Sequence, residues 1–406
     1  MVGLSEGWRE SVRIGNMSFQ RTGNLALVLR ALRDEPGLTR TELAGKLQFD
    51  KSTISNLTAE LIGAGLVKED EVGSAGPRGG RKPVSLRLEN QRICALGIEV
   101  EPDRYRAVVQ DNDAVTLFSE EGALAGDDLE AGLREISGRI IRRMVEQRVA
   151  VVGVGYGLPG SVDADEGRII RSRSLDLSDM RLSPTVAVQL PGGYSIEVPV
   201  ALDNDAICCA WGELHAGRAH SPHSDLLVVL ARRTEQHVGI GLGLIMGGVV
   251  QYGGKVANGE FYTSGWRGDT WSQTSLSSAE LVATASVEAL RRRFLEELLD
   301  NLTPVVSVLN PRSIVLAGEL RERIEEVQEL IARDYGDRYL GMRIPKETFR
   351  STLHGTDEVA AGAAGMVLER LFAVPTLDRQ PGEFTITWER ILPVLEHLHP
   401  SPVGDR

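Results

Sequence analysis

Three polar side chains stand together in the stretch VALDNDAICCAWGELHAG, which begins at Val200 and ends at Gly217. They are Asp203, Asn204 and Asp205, and they separate an apolar run typical of a buried strand from an amphipathic run typical of a helix. Carboxylate and amide groups in such a turn can provide a catalytic base, hold a ligand or cap the helix. All three roles stay open for Asp205 on the local sequence alone.

The composition is that of a globular chain. Its 406 residues are 42% hydrophobic and 25% charged, and its longest apolar runs, such as LLVVLA, have the length of a strand. They fall far short of the ~20 residues that a membrane span needs, and the N-terminus has no apolar segment of the secretory type. Three cysteines, two of them adjacent, cannot form a disulfide framework or a Cys-x-x-Cys clamp. We therefore expect a cytoplasmic protein with no membrane segment.

Charge is divided unevenly along the chain. Residues 1–92 hold 14 Lys and Arg against 11 Asp and Glu, a balance of +3. The remaining 314 residues hold 31 against 46, a balance of −15. A mildly basic head on an acidic body suggests that the head meets a polyanion.

The head has the pattern of a helix-turn-helix. LALVLRAL has helical apolar spacing, Thr39 and Glu42 form the capping box of a second helix, and Asp50 stands at the N-cap of a third. The exposed side of the third helix carries small polar groups and one cation, which suit contacts with phosphates and base edges in a major groove. The residues predicted to contact DNA there are Lys51, Ser52, Thr53, Ser55 and Asn56.

A hairpin with a cationic tip follows these helices. An extended segment starts at Leu66, VSLRL alternates as the returning strand, and the loop between them carries Arg78, Arg81 and Lys82. This order of elements is typical of a winged helix-turn-helix, whose wing contacts the backbone or the minor groove of double-stranded DNA. Small polar residues occur on the solvated face of many helices, but the ordered set of elements favours the DNA-binding interpretation.

From Cys94 the pattern changes to alternating strands and helices. ICALGIEV and RAVVQD predict a hairpin, AVVGVGYGLPG a buried strand, and LLVVLARRTEQHVGIGLGLIM a strand pair. AELVATASVEALRRRFLEELLDNL predicts one long helix. This order predicts two α/β lobes with a ligand crevice at the carboxyl ends of their strands.

These segments resemble the ROK group of bacterial repressors and sugar kinases. The similarity spans about residues 22–370 and rests on RTGNLALVLRAL, GRKPVSLRL, GYGLPGSVD, LDNDA, VGIGLGLIMGGVVQYG, ANGE, LNPRSIVLAG and VAAGAAGMVLERLF. The resemblance implies a winged helix-turn-helix fused to a two-lobed, actin-like (RNase H-like) domain, an α+β head on an α/β body. It also implies a homodimer or homotetramer.

The expected boundaries divide the chain into five parts. They are an N-terminal extension at 1–20, a winged helix-turn-helix at 21–90, a first actin-like lobe at 91–200, a second lobe with a returning C-terminal helix at 201–373, and a tail of unassigned role at 374–406.

The resemblance also assigns a sugar site. Asn204 and Asp205 match the family's Asn-Asp pair, which binds sugar hydroxyls and whose Asp is the general base of the kinases. Glu260 in ANGE matches the Glu of the family's Glu-x-x-His motif. Converging carboxylate and amide groups suit the vicinal hydroxyls of a carbohydrate. The loop beside the sugar corresponds to Gly157, Pro159 and Gly160.

Three family motifs are altered in this chain. The turn that approaches ATP phosphates in the kinases is here Glu99-Val100-Glu101-Pro102-Asp103, whose acidic groups repel phosphate. His237 and Val238 replace a Gly-Thr pair in the second phosphate loop. Thr263 stands in place of a ligand His in the zinc box, and no cysteine follows it. Because a structural zinc needs about four N or S ligands, we expect neither zinc nor another cofactor.

Three functions stay open. The leading one is a DNA-binding transcriptional regulator, a repressor, whose affinity for its operator changes when a carbohydrate-like effector binds between the lobes; it has no catalytic residue. The second is a bifunctional sugar kinase with a DNA-binding head, which Asp205 favours and the acidic turn opposes. The third is a regulator controlled by a protein partner through the altered zinc segment.

Overall fold

The architecture is that of a computed structural model of the chain. It describes residues 17–71, 84–124, 126, 128–190, 193–218, 225–234, 237–252, 259–268, 271–335, 345–373 and 383–398. Within these ranges no helix combines the length and the apolar character needed to cross a bilayer.

The head is a bundle of helices followed by a hairpin, as the sequence predicts. Thr39 caps the second helix through a reciprocal capping box with Glu42, and Asp50 occupies the N-cap of the third without a side-chain bond. Apolar side chains from all three helices, including Leu29, Leu43 and Ile54, are fully buried. The elements are α1 (Met17–Asp34), α2 (Arg40–Leu47), α3 (Lys51–Gly63), β1 (Val67–Glu71) and β2 (Val84–Leu88).

A six-stranded mixed sheet forms the first lobe of the body. Its strand order is β10-β11-β6-β3-β4-β5, in which β3 and β4 form the predicted hairpin and β6 runs parallel to both β3 and β11. A small sheet of β7, β8 and β9 leaves the end of β6. The elements are β3 (Cys94–Val100), β4 (Arg104–Asp111), β5 (Thr116–Ala123), α4 (Leu129–Glu146), β6 (Val151–Leu158), β7 (Ser161–Asp163), β8 (Arg168–Ser172), β9 (Leu177–Arg181), β10 (Thr185–Gln189) and β11 (Ser195–Asn204).

A second mixed sheet, in the order β14-β13-β12-β15-β16, forms the second lobe. A buried helix, α5, leads into it from the end of β11, and a second buried helix, α9, packs on α5 and on the first sheet. The elements are α5 (Asp205–Gly217), β12 (Leu226–Arg233), β13 (Val238–Met246), β14 (Val249–Gln251), α6 (Ser278–Ala283), α7 (Glu288–Leu309), β15 (Ser313–Gly318), α8 (Ile324–Leu330), β16 (Phe349–Ser351) and α9 (Glu358–Leu371).

The single long helix predicted for this lobe is wrong, because the chain forms the two helices α6 and α7. The guanidinium of Arg233 donates to the carbonyls of Leu281 at 2.9 Å and Val282 at 2.7 Å. The hydroxyl of Thr284 also donates to the Leu281 carbonyl, at 2.7 Å. These donors satisfy carbonyls that a continuing helix would use, so α6 ends there.

The part of the chain expected to be a tail contains a packed helix, α10 (Trp388–Leu398). Trp388 and Ile391 are buried, and the Trp388 ring lies edge-on to Phe372 with 5.6 Å between ring centroids. One apolar cluster joins α10 to the helices of the head and to α9. The head therefore packs against the body through a continuous core.

Candidate functional site

A cavity of about 270 Å³ lies between the two sheets, at the carboxyl ends of β6, β11 and β12. A space of this size can hold several water molecules or a small polar ligand. Both lobes line it, and of the six residues predicted to bind effector it contains Pro159, Gly160, Asn204, Asp205 and Glu260.

The loop after β6 brings the small sheet against the start of α5. Gly160 has φ +107°, and a Cβ there would lie 2.4 Å from the carbonyl oxygen of Arg171, so only glycine fits. Gly157, the remaining predicted residue, is placed differently: it lies inside β6, where a Cβ would meet Val359 and Cys208. It contributes to packing behind the cavity and does not line it.

Asn204 is the N-cap of α5. Its Oδ1 accepts hydrogen bonds from the backbone N–H of Ala206 at 2.9 Å and of Ile207 at 3.3 Å, and its Nδ2 donates to the Gly160 carbonyl at 2.8 Å. The role of N-cap, which was one of the three possible roles of Asp205, is therefore filled by Asn204. One N–H of the Asn204 amide remains for a ligand.

Asp205 is the first residue of α5 and is 8% exposed. One carboxylate oxygen accepts from the Ala206 N–H at 2.8 Å, and the other lies 3.3 Å from Nε of Arg232. This second contact is an ion pair without hydrogen-bond alignment. Burial raises the pKa of Asp205, and the guanidinium of Arg232 opposes that rise.

Arg232 also binds the acidic turn that stands where the kinases have a phosphate-binding turn. Its Nη1 contacts the Glu99 carboxylate and lies 2.7 Å from Oε1 of Glu101. Glu99 is 4% exposed, so this ion pair joins β12 of the second lobe to β3 of the first in a largely dry environment. Arg232 is not among the site residues predicted from the sequence, because its pairing with an acidic turn 133 positions away is created only by the packed lobes.

Glu260 is fixed by a neighbouring amide. Its Oε2 accepts from Nε2 of Gln273 at 2.8 Å, and Gln273 is itself held by both backbone groups of Ile240. Burial, and then the charge of Asp205, raise the pKa of Glu260 to about 7. At neutral pH the side chain can therefore accept a hydrogen bond or donate one to a ligand.

Aromatic side chains also line the cavity. His237 and Trp271 lie with 5.4 Å between ring centroids, and Nδ1 of His237 is 2.8 Å from the Thr234 hydroxyl. Burial, and then the charge of Arg173, lower the pKa of His237, so its ring is neutral near pH 7. His237 departs from the family's second phosphate loop, and nothing in that departure predicts its position at the cavity.

Hydrogen bonds organise the segment that replaces the zinc box. The carboxylate of Glu297 accepts from the Thr263 hydroxyl at 2.6 Å and from the Ser275 N–H at 2.7 Å. Tyr262 and Trp266 lie with 4.8 Å between their ring centroids beside this loop. In the described part of the chain, no group of three or more His, Cys, Asp or Glu residues could hold a metal ion.

The predicted DNA-contacting residues of the head lie on the outward side of α3. Ile54 and Leu57 occupy its buried side. Thr53 is partly exposed, and Lys51, Ser52, Ser55 and Asn56 are exposed. The wing residues Arg78, Arg81 and Lys82 lie outside the described residues.

Glu260→Gln should change how stability depends on pH. The folded pKa of about 7 exceeds the unfolded value of about 4.3, so the stability associated with the bound proton is complete below about pH 4.3 and is lost as the pH rises through 7. The variant lacks this loss and should be more stable than the wild type at pH 8, by up to about 3 kcal/mol. Urea denaturation of both proteins at pH 4.5 and pH 8 measures the difference, and parallel pH profiles would contradict the expected titration.

Comparison with known proteins supports both parts of the fold. Residues 95–261 match the ROK family, and residues 24–71 match the IclR helix-turn-helix domain. A xylose repressor of Caldicellulosiruptor bescii is 28% identical over 57% of this chain, which aligns with 55% of that protein's length. The xylose repressor of Bacillus subtilis is 22% identical over 90% of this chain and 100% of its own.

A solved structure has the same overall fold. It is a ROK family transcriptional regulator, a homolog of the E. coli MLC protein, with a TM-score of 0.66 and 16% identity over 92% of this chain and 100% of the other. The expected fold class and the resemblance drawn from the sequence are confirmed. The chain thus joins a helix-turn-helix segment that matches the IclR domain, residues 24–71, to a segment that matches the ROK family, residues 95–261.

Proposed function

We propose that this protein is a transcriptional repressor whose affinity for operator DNA changes when a small carbohydrate binds in the cleft. The observation that carries the proposal is the presence, in one chain, of an outward polar face on α3 and a sugar-sized cavity lined by Asn204, Asp205 and Glu260. The cavity offers hydrogen-bond donors and acceptors beside aromatic rings, and this is the chemistry that recognises a sugar. Two relatives named xylose repressors make D-xylose the first candidate.

The ion pairs around Arg232 favour a regulator over a kinase. A general base must be free to accept a proton from the substrate, whereas both carboxylate oxygens of Asp205 already have partners: one accepts from the Ala206 N–H, and the other lies 3.3 Å from the guanidinium of Arg232. The turn that would approach ATP phosphates carries two carboxylates, Glu99 and Glu101, already bound to the same arginine. A bifunctional sugar kinase remains the alternative because the Asn204–Asp205 pair is retained. An assay of ATP consumption with each bound sugar separates the two.

The proposal extends to assembly and location. A repressor that binds two half-sites needs two heads related by a two-fold axis, so we expect a homodimer or homotetramer in the cytoplasm. Light scattering of the purified protein measures the assembly. The division of the chain into a wing-bearing head at 21–90 and two lobes at 91–200 and 201–373 belongs to the same proposal.

Replacing Arg78, Arg81 and Lys82 together by glutamine should weaken binding to all duplex sequences alike. Each lost phosphate contact reduces the slope of log K against log salt by about 0.9, so the triple variant should lose up to about 3 units. Asn56→Ala should instead change the preference among sequences. Fluorescence anisotropy over a salt series measures both, with Lys346→Gln in the second lobe as control. Full operator binding by a protein lacking residues 1–90 would refute the assignment.

A further inference from the structure

One helix connects the cleft with the head. α5 begins at Asp205 in the cavity, with Asn204 as its N-cap, and ends at Gly217 after 13 residues, a length of about 20 Å at 1.5 Å per residue. Its last turn carries His215, whose side chain is fully buried. One end of this rigid element therefore lies at the cavity and the other beside α1 of the head.

A buried cluster, here named the joint, lies at the far end of α5 and consists of Arg33, His215 and Glu369. These residues belong to α1 of the head, α5 and α9, respectively. Nδ1 of His215 is 2.9 Å from Oε1 of Glu369 and 3.0 Å from Nη2 of Arg33, and Arg33 also contacts Glu369 directly. Arg218 closes the cluster, with Nε 2.7 Å from both Glu369 oxygens.

The joint consists of charged and polar side chains that are buried in close contact and largely excluded from water. The side chains of Arg33 and Glu369 are 6% and 2% exposed. Burial alone would raise the pKa of Glu369, but Arg33, His215 and Arg218 hold it well below its usual range. Nη1 of Arg33 is buried without a hydrogen-bond partner among the described residues, so the present arrangement does not satisfy every donor. A cluster of this kind constrains geometry strongly and is sensitive to small displacements.

The backbones of α5 and α9 are in direct contact, with no layer of flexible side chains between them that could absorb a displacement. A Cβ at Gly362 of α9 would lie 1.9 Å from the carbonyl oxygen of Cys208 on α5, so the two backbones touch. On its other side α9 meets the first sheet equally closely, because a Cβ at Gly97 would lie 1.9 Å from the Ala360 carbonyl. A shift of α5 at the cavity is therefore carried to its far end, since closely packed interiors transmit strain.

The head is held at the same point. The guanidinium of Arg33 lies 4.3 Å from the centre of the Phe372 ring, and Asp34 forms an ion pair with Arg218 at 3.6 Å. Both contacts use the C-terminal end of α1, whose other residues form the core of the head with α3. A change at this end therefore reorients the surface that bears the DNA-contacting residues.

We propose that Arg33, His215 and Glu369 form the joint through which occupancy of the cleft sets the position of the DNA-binding head, with α5 as the rigid connection. This inference rests on the proposed function, since it assigns the route of its regulation. Coupling between two sites is reciprocal, so DNA bound at the head must also change the conformational stability of the cleft end of α5. That reciprocity gives a test that needs no knowledge of the sugar.

The experiment uses the full-length protein and a duplex selected on it from a random pool. Hydrogen exchange of the backbone amides of residues 206–209 is measured with and without the duplex. In the wild type, DNA should change these exchange rates at least about fivefold, the lower range of typical coupling. Arg33→Met should bind the duplex and lose this response. The matched control is Arg30→Met, on the same helix, where Arg30 is 52% exposed and pairs with Asp34 at 3.8 Å; it should keep the response.

The outcomes separate this inference from the proposed function. If no duplex can be selected, the DNA-binding proposal fails and the joint fails with it. If the wild type binds DNA without a change at residues 206–209, or if Arg33→Met responds as the wild type does, the joint is refuted and the repressor proposal stands. Should Arg33→Met not fold, His215→Leu takes its place, because it removes the ring nitrogen between Arg33 and Glu369 and leaves their direct contact. A full response in that variant would equally refute the joint.

Discussion

Replacing Glu369 by alanine should lower the free energy of unfolding by about 3–5 kcal/mol, the cost of removing one partner from a buried ion pair. The carboxylate is 2% exposed and neutralises Arg33, which has 6% of its side chain exposed, and Arg218. Without it the buried guanidinium of Arg33 loses the carboxylate that pairs with it, and Asp34, which pairs with Arg218 at 3.6 Å and is 45% exposed, is too solvated to replace that charge. Because the folded pKa is lowered, this stabilisation is complete above the ordinary carboxyl pKa and is lost only as the pH falls through the folded value. Denaturation by urea at pH 7 measures it.

A surface ion pair provides the comparison. Glu35 pairs with Lys46, and their side chains are 56% and 40% exposed. Because solvent screens such a pair, Glu35→Ala should cost less than about 1 kcal/mol. If both variants unfold at nearly the same urea concentration, the joint is not the stabilising cluster inferred from its burial.

Asp205→Ala should leave operator binding intact and weaken effector binding by roughly 1–3 kcal/mol, a loss of affinity of about 5- to 150-fold. The substitution removes a buried acceptor at the cavity and leaves the ligand hydroxyl without its partner. Folding should change by less than about 1 kcal/mol, because Asn204 provides the cap of α5 and Arg232 keeps Glu99 and Glu101 as partners. A thermal-shift titration of the wild type with sugars, sugar acids and polyols, beginning with D-xylose, identifies the ligand. The same titration of the variant measures its loss of effector affinity. Release of operator DNA by that ligand shows whether the variant still responds to it.

Asp128 is the matched control for this experiment. It is the N-cap of α4, where its Oδ1 accepts from the Ala131 N–H at 3.0 Å, and it does not line the cavity. Asp128→Ala should therefore cost about 1 kcal/mol of stability and leave the effector response unchanged. An Asp205→Ala protein with normal effector response would show that its carboxylate does not bind ligand. ATP-dependent sugar phosphorylation by the wild type that vanishes in Asp205→Ala would establish the kinase instead.

Local patterns in the sequence predicted the local structure well. The capping box of Thr39 and Glu42, the hairpin of β3 and β4 and the buried strand β6 all depend on neighbours in sequence or on apolar periodicity. Such features can be inferred because the interactions that create them are short in sequence. The order of these elements was then sufficient to predict the crevice between two lobes.

The errors and omissions arise from contacts distant in sequence. The predicted long helix is interrupted by Arg233, a strand residue about 50 positions before the carbonyls it binds. Asn204 and Asp205 are both good N-cap residues, so the choice between them depended on Gly160, which accepts from the Asn204 amide. Arg232 meets Glu99 across 133 positions. No periodicity or local motif contains these pairings, and only the packed lobes create them.

The ion pairs of Arg232 also limit how such a chain can evolve. Glu99, Glu101 and Asp205 all surround one guanidinium, so replacing the arginine alone would leave three acidic groups crowded together, two of them largely buried. Replacing a single acid would leave the remaining carboxylates to repel a phosphate. Each one-step path towards nucleotide binding at this turn therefore passes either through a less stable protein or through one that still repels phosphate. A phosphate-binding turn at this place would therefore require several coordinated substitutions among these four side chains.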